Sequence, residues 1–234
     1  MKTIILAGGL GSRLAEETDS KPKPMVKIGE YPILWHIMSI YAKQGYDDFL
    51  IATGYKHELI DDWVATLRDD WKISTLFTGD LTQTGGRILR CISKFPEDEY
   101  FITYGDGLAN VNLNKLLNIH HSEERLATVT AVRPPARFGV LTLAGNRVTH
   151  FGEKSQAEAG WINGGFMIVS HRIKDIIQGD GTLLETGPLP HLAASDQLSV
   201  YRHDGFWHPM DTLREKNVLS ELASAELPPW FEIN

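Results

Sequence analysis

Residues 2–14 read Lys2-Thr3-Ile4-Ile5-Leu6-Ala7-Gly8-Gly9-Leu10-Gly11-Ser12-Arg13-Leu14, and the segment runs on to Lys21-Pro22-Lys23-Pro24-Met25-Val26-Lys27. Ile4 to Ala7 form a continuous apolar run that stops at two glycines, the pattern of a fully buried strand ending in a tight loop. Gly8, Gly9 and Gly11 lack a Cβ, so the backbone there can take unusual φ values and bring its N–H groups close to an anion. Arg13 adds a fixed guanidinium fork, and Lys21 and Lys23 follow among prolines that stiffen their segment. The stretch predicts a phosphate site at the end of the first strand. A ligand-free glycine turn is the plain alternative. Two other readings fail on spelling: the third glycine of a dinucleotide fingerprint is missing after Gly11, and no Gly-x4-Gly-Lys-Ser/Thr string occurs.

At 234 residues, 42% apolar and 23% charged, the chain is long enough for one large domain with a full core and has the balance of an ordinary globular protein. A formal charge of −7 argues against general binding to nucleic acid or an anionic membrane, which needs a cationic excess. Any phosphates are then held by local basic groups. Cys91 is the only cysteine and lies among Ile88, Leu89 and Ile92, so a buried, inert thiol is expected rather than a disulfide. The apolar start, Thr3 to Ala7, is too short for a signal-peptide core or a membrane span, and a cytoplasmic location is expected.

Ile33, Leu34, Ile37, Met38, Ile40 and Tyr41 recur at helical spacing, with Gly45 as the stop. His36 within that helix reads as structural. Phe49 to Thr53 predicts a strand, 56–69 a helix, Ile73 to Phe77 a strand, about 87–94 a helix and Tyr100 to Tyr104 a strand. This is a βαβ rhythm. Thr84-Gly85-Gly86-Arg87 places N–H groups and a guanidinium at a helix start, where anions and nucleotide edges are favoured; a bare connection is the alternative. Asp106, between Gly105 and Gly107, lies just past a buried strand, where open α/β sheets bind ligands. An Asx turn would explain it too, but beside a phosphate loop a metal ligand is the stronger reading. Magnesium needs one or two carboxylates plus phosphate oxygens and waters, so one further acid suffices.

From Ala127 the pattern changes. Runs 127–132, 139–143 and 147–152 are short and alternating, the last two joined by the hairpin residues Ala144-Gly145-Asn146, and they predict an added β layer rather than more βαβ. Glu153-Lys154 and the Asn163-Gly164-Gly165 segment would put charged and amide groups at the sheet mouth, which suits a polyhydroxylated ligand. Residues 171–195 read as helix, turn and helix, and Leu198 to Tyr201 as a last strand. Asp211 falls at the expected N-cap of the final helix, a role compatible with holding a metal. The tail Pro228-Pro229-Trp230-Phe231 is apolar enough to pack on the body or on a neighbouring subunit. The histidines and the cysteine show no transition-metal spacing, and no Gly-x-Ser-x-Gly elbow occurs.

Gly8 to Leu14, Pro22-Lys23-Pro24-Met25-Val26, Thr84 to Arg87, Tyr104 to Gly107, Phe138-Gly139, Glu153-Lys154, Asn163 to Phe166 and Phe206 to Thr212 together cover essentially the whole chain. They resemble the signature of the sugar-1-phosphate nucleotidyltransferases, which join a nucleoside triphosphate to a sugar 1-phosphate and release pyrophosphate. The family's usual threonine at position 12 is Ser12 here, which keeps the hydroxyl. Pro32 to Met38 and Gly205 to Arg214 resemble its glucose-1-phosphate cytidylyltransferase branch, which implies CTP and α-D-glucose 1-phosphate as substrates.

The resemblance implies a Rossmann-like α/β fold: a mixed, mainly parallel sheet flanked by helices, with an added β layer for the sugar. It would be a single domain over 1–234, with a nucleotide-binding half at about 1–110 and a sugar-binding half at about 111–234. Leu6, Gly8, Gly9, Gly11, Ser12 and Arg13 would hold the triphosphate, with Lys23 on the reacting phosphate and Arg87 near the nucleotide. Asp106 and Asp211 would bind Mg2+. Tyr104, Glu153 and Asn163 would face the sugar, and Lys154 its phosphate. Arg13, Lys23 and Asp106 are expected to carry catalysis, an in-line attack of a phosphate oxygen on the α-phosphorus that needs no strong general base. A homo-oligomer is expected.

Two departures stand out. Ser155 replaces the family's usual proline, and the stretch between Lys56 and Thr84 is about twenty residues shorter than in the cytidylyltransferase pattern, where it helps build subunit contacts and one wall of the nucleotide site. Another base or acceptor is therefore the first alternative. A non-catalytic nucleotide-sugar-binding protein is the second, opposed by the presence of Arg13, Lys23, Asp106 and Asp211. A dehydrogenase is the third, opposed by the missing glycine.

Overall fold

The computed structural model describes residues 1–9, 11, 14–134, 139–153 and 160–233. The chain opens with β1 (Lys2–Ala7), a short helix α1 (Ala15–Thr18), a 3-10 turn at Lys23–Met25 and a small hairpin, β2 (Lys27–Ile28) and β3 (Tyr31–Pro32). Then come α2 (Ile33–Ala42), β4 (Asp48–Thr53), α3 (His57–Thr66), β5 (Lys72–Phe77), α4 (Thr84–Lys94), β6 (Glu99–Tyr104) and β7 (Gly107–Ala109). α5 (Leu113–Glu123), β8 (Ala127–Val132), β9 (Gly139–Ala144), β10 (Arg147–Glu153) and β11 (Ile162–Ser170) follow. After a 3-10 segment at His171–Ile176 the chain ends with α6 (Pro188–Ala194), β12 (Leu198–Arg202), β13 (Trp207–Pro209) and α7 (Leu213–Leu222).

The main sheet has the order β12-β8-β11-β6-β1-β4-β5. β1 pairs parallel with both β4 and β6, β4 parallel with β5, and β8 parallel with β12, while β11 runs antiparallel between β6 and β8. The sheet is thus mixed and mainly parallel, as expected. β1 is central and explains its own composition. Ile5 and Ala7 face a core built with α2, α5 and the tail, whereas Ile4 and Leu6 face a second core under α4 and α6. A strand covered on both faces reads as an unbroken apolar run, and each fully buried Ile or Leu contributes about 1.5–3 kcal/mol.

One expectation is corrected here. β8 is part of the main sheet, and of these three runs only β9 and β10 pair apart from it, as a two-stranded sheet. Thr128 and Thr130, the polar positions of the β8 alternation, are both fully buried. Thr128 is accommodated by partners from other elements, His120 at 2.8 Å and Ser199 at 2.6 Å. A buried hydroxyl with its hydrogen bonds made costs little.

Smaller expectations hold. Gly45, at φ +88°, sits just past α2, and Cys91 is fully buried, its thiol pushed up to about 12 by desolvation. His36 is buried, bonds Ile28 O at 2.9 Å and stacks edge-on against Trp230, which the tail inserts fully into the core. Among the described residues no helix is long and apolar enough to cross a membrane.

Candidate active site

Lys23, Asp106 and Asp211 meet although they lie in three distant parts of the chain. Asp106 sits in the turn between β6 and β7, and Asp211 lies two residues past the end of β13. β7 and β13 pair antiparallel with Gly107 opposite Pro209, and Met210 N donates to Asp106 O at 2.8 Å, so this short ladder sets the two carboxylates side by side. Lys23 begins the 3-10 turn between Pro22 and Pro24, which holds it rigidly. Its Nζ donates to Asp106 Oδ2 at 2.7 Å and to Asp211 Oδ1 at 2.8 Å. Burial by itself would lower the pKa of Lys23, but the two carboxylates more than offset it and hold the ammonium above its ordinary value. Gly105 permits this approach, since a Cβ there would lie 3.0 Å from both Pro24 Cγ and Leu6 O.

Asp211 is not the helix cap. Thr212 caps α7 in a reciprocal box with Glu215, whose carboxylate accepts from the Thr212 N–H at 3.0 Å and the Asp211 N–H at 2.8 Å. This frees the Asp211 side chain to face Lys23.

Beside this cluster a cavity of about 380 Å³ is lined by Leu6, Gly8, Gly9, Gly11, Lys23, Asp80 to Thr84, Arg87, Tyr104 and Asp106. That volume suits a small-molecule ligand. Gly11 takes φ +66°, and a Cβ there would come 2.9 Å from Thr18 Cγ2. Ser12 and Arg13 lie outside the described residues.

The Thr84-Gly85-Gly86-Arg87 segment has a different use from the one expected. Its N–H groups are not free: Gly85 N and Gly86 N donate to Thr182 O at 2.9 and 3.3 Å. A Cβ at Gly86 would lie 2.6 Å from Asp180 Cα, so the two glycines let the 180–184 backbone dock on the start of α4. The buried Arg87 guanidinium ties the ends of neighbouring strands together. It donates to Thr53 O at 2.9 Å, Thr78 Oγ1 at 2.6 Å, Gly79 O at 2.8 Å and Gly8 O at 2.9 Å. Gly8 and Gly54 leave it room: a Cβ would sit 2.1 Å from Arg87 Nη1 at the first and 2.7 Å at the second. Arg87 lines the cavity, but its donors shape the glycine loop.

At the same carboxyl end of β6, two residues before Asp106, the Tyr104 hydroxyl donates to Glu185 Oε1 at 2.5 Å, and Asn163 Nδ2 lies 3.5 Å from the Tyr104 phenol oxygen. Burial first, then the Glu185 carboxylate, hold the phenol's pKa above its ordinary value. Gly165, at φ +87°, makes space for the ring, since a Cβ there would meet Tyr104 Cδ2 at 2.6 Å. Glu153 ends β10, but its side chain, like all of Lys154, lies outside what the structure describes. Glu185 belongs to no sequence motif, so nothing local marks it as part of this site.

The residues fit a divalent cation. Two carboxylates converge on one point that a cationic ammonium already fills, and they adjoin a cavity where phosphate oxygens could supply the further ligands such a cation takes. No group of three or more His, Cys, Asp or Glu residues that could form an all-protein site occurs among the described residues.

An α/β sheet with a glycine loop after its central strand, and a lysine and two carboxylates at the same end, defines a nucleotide-handling protein. Comparison with known proteins narrows the class. Residues 2–199 match the nucleotidyl transferase family. Glucose-1-phosphate cytidylyltransferase of Salmonella typhimurium is 40% identical over 253 aligned positions that cover 98% of each chain. A D-glycero-alpha-D-manno-heptose 1-phosphate guanylyltransferase of Aneurinibacillus thermoaerophilus is 35% identical over 74% of this chain and 76% of its own. The solved structure of HddC from Yersinia pseudotuberculosis superposes with a TM-score of 0.72 at 23% identity, over 94% of this chain and 98% of that one. The chain belongs to the nucleotidyl transferase family and is a sugar-1-phosphate nucleotidyltransferase. Enzymes of this family generally use a divalent metal.

Because 253 aligned positions cover only 98% of 234 residues, the Salmonella alignment contains about two dozen positions at which this chain has no residue. The β5–α4 connection is short, residues 78–83, and four of those residues line the cavity.

Proposed function

We propose that this chain transfers the cytidylyl group of CTP to α-D-glucose 1-phosphate, releasing pyrophosphate, with magnesium as its cation. The observation that carries the chemistry is the Lys23 ammonium held between Asp106 and Asp211 beside the glycine loop. The substrate pair rests on the 40% identity to a glucose-1-phosphate cytidylyltransferase along nearly the full length of both chains.

In this reading Leu6, Gly8, Gly9 and Gly11, with Ser12 and Arg13, take the triphosphate. Asp106 and Asp211 hold magnesium, which when bound neutralises phosphate charge and polarises the phosphoryl oxygens. Lys23 turns its ammonium to the α-phosphate as negative charge builds there, and Arg87 keeps the glycine loop in shape. Tyr104, Glu153 and Asn163 orient the sugar, with Lys154 on its phosphate. An oxygen of that phosphate attacks the α-phosphorus in line. It is already ionised at neutral pH, so alignment and charge neutralisation supply most of the acceleration.

The sheet order supports a division of labour within one domain: β1, β4, β5 and β6 come from the nucleotide half, and β8, β11 and β12 from the sugar half. We also propose a cytoplasmic homo-oligomer; Phe77 and Leu81, exposed near the β5 edge, offer apolar surface to a second copy.

Pyrophosphate release measured with CTP, UTP, dTTP and GTP at saturating glucose 1-phosphate tests the base, and a panel of sugar 1-phosphates with CTP fixed tests the acceptor. CTP and glucose 1-phosphate should lead. GTP with a heptose 1-phosphate is the competing pair, supported by the guanylyltransferase relative and by the missing positions. Its lead by tenfold, about 1.4 kcal/mol in transition-state binding, would replace the proposal.

A further inference from the structure

Glu185 touches neither the glycine loop nor the Lys23 cluster, yet its two oxygens bind one residue on each side of the site. Oε1 accepts the Tyr104 hydroxyl at 2.5 Å and Oε2 accepts the Thr84 hydroxyl at 2.8 Å. Thr84 Oγ1 in turn accepts Leu184 N at 2.9 Å, which pins the strand of chain carrying Glu185 to the start of α4. Thr84 and Tyr104 line the nucleotide cavity, and Tyr104 Oη lies 3.5 Å from Asn163 Nδ2. A hydrogen-bonded row, Thr84–Glu185–Tyr104–Asn163, therefore runs from the nucleotide cavity to the sugar-side amide.

A carboxylate only accepts hydrogen bonds, so the single proton of the Tyr104 phenol is committed to Glu185. The phenol oxygen is left with lone pairs toward the pocket, where Asn163 Nδ2 approaches as a donor. We propose that Glu185 is a positioning residue that determines specificity: by fixing the hydrogen-bond polarity of Tyr104, it makes that wall of the sugar pocket an acceptor and selects a sugar phosphate presenting a hydroxyl donor there. The inference rests on the sugar-side assignment of Tyr104 and Asn163 made above. Once a sugar covers it, a polar wall of fixed polarity discriminates, because a ligand that cannot pair with it leaves it unsatisfied.

The test uses the preferred sugar 1-phosphate and its monodeoxyfluoro analogues, whose fluorine cannot donate. In the wild type one analogue should be penalised by about a hundredfold in kcat/KM. Glu185→Gln, which can donate to the phenol oxygen and free its proton, should raise the KM for the sugar phosphate about tenfold, leave the KM for the nucleoside triphosphate within about twofold, and shrink the fluoro penalty to about tenfold. In a Tyr104→Phe background Glu185→Gln should then add nothing. An unchanged fluoro penalty, or equal and additive effects in both backgrounds, overturns the proposal. If Glu185→Gln fails to fold, Glu185→Ala, which also frees the phenol proton, takes its place: a shrunken fluoro penalty supports the proposal and an unchanged one overturns it. Should Asn163→Ala and Tyr104→Phe both leave the sugar-phosphate KM unchanged, the sugar-side assignment itself is wrong. A raised KM in those two variants with a silent Glu185→Gln refutes only the role of Glu185.

Discussion

The Lys23 ammonium lies 2.8 Å from the carboxylate of Asp211, a residue 188 positions further along the chain. With Asp106 close as well, at 2.7 Å, the lysine stands where the proposed function puts a divalent cation, so in that reading the two cations would compete for one pair of carboxylates. At these separations the repulsion is worth a few kcal/mol at an effective dielectric near 20. Lys23→Met should therefore tighten Mn2+ binding to the nucleotide-free enzyme by about tenfold or more while slowing turnover about a hundredfold. Electron paramagnetic resonance titration of Mn2+ reads the first effect. Equal Mn2+ affinity in wild type and variant would show that Lys23 and the metal do not share the site.

Asp106→Asn should nearly abolish pyrophosphate release and leave the fold intact, because Lys23 keeps Asp211 as a partner and the β7–β13 ladder does not use the Asp106 side chain. Turnover and thermal melting measured on the same preparation check both halves. Activity near the wild-type level would remove Asp106 from the metal site.

Arg87 and Gly8 form a second testable pair. Arg87→Ala would take the guanidinium donor from the Gly8 and Gly79 carbonyls, while Thr53 O keeps the Thr78 N–H and hydroxyl, at about 1–3 kcal/mol for each group left buried and unpaired. A loss of about 3 kcal/mol or more in a urea titration is expected, together with a weakened KM for the nucleoside triphosphate. Gly8→Ala should do similar damage, since its Cβ would fall 2.1 Å from the guanidinium and the backbone on either side is confined. A neutral result for both would mean that the glycine loop holds its shape without the clamp.

Mild acid should destabilise the fold. His36, His120 and His203 are each buried, and burial holds each below its ordinary imidazole pKa. Near pH 6.5 and below, the unfolded chain takes up protons at these histidines that the folded chain refuses, so stability present above that value is lost as the pH falls. The melting temperature should drop by about 5 °C or more between pH 7.5 and pH 5.5. A flat profile would show that the folded chain accepts those protons.

The sequence by itself determined the βαβ framework, because burial on both faces writes an unbroken apolar run such as Ile4 to Ala7, and amphipathic helices such as α2 write a 3.6-residue period. It also marked Asp106, Lys23 and Asp211 individually, through the glycines and prolines around them. Their meeting was a matter of tertiary structure. A carboxylate after a strand carries no local sign of its partner, and only the β7–β13 ladder brings Asp211 to Asp106 and Lys23. The same limit explains the misreadings. The run 127–132 reads as an added layer because the partners of Thr128, His120 and Ser199, arrive from α5 and β12, and the glycines of Thr84 to Arg87 suggest an anion or nucleotide edge where the 180–184 backbone docks instead. A glycine such as Gly86 records that something approaches closely, but which atom does so is decided by distant segments, just as Thr84 meets Glu185 from 101 positions away.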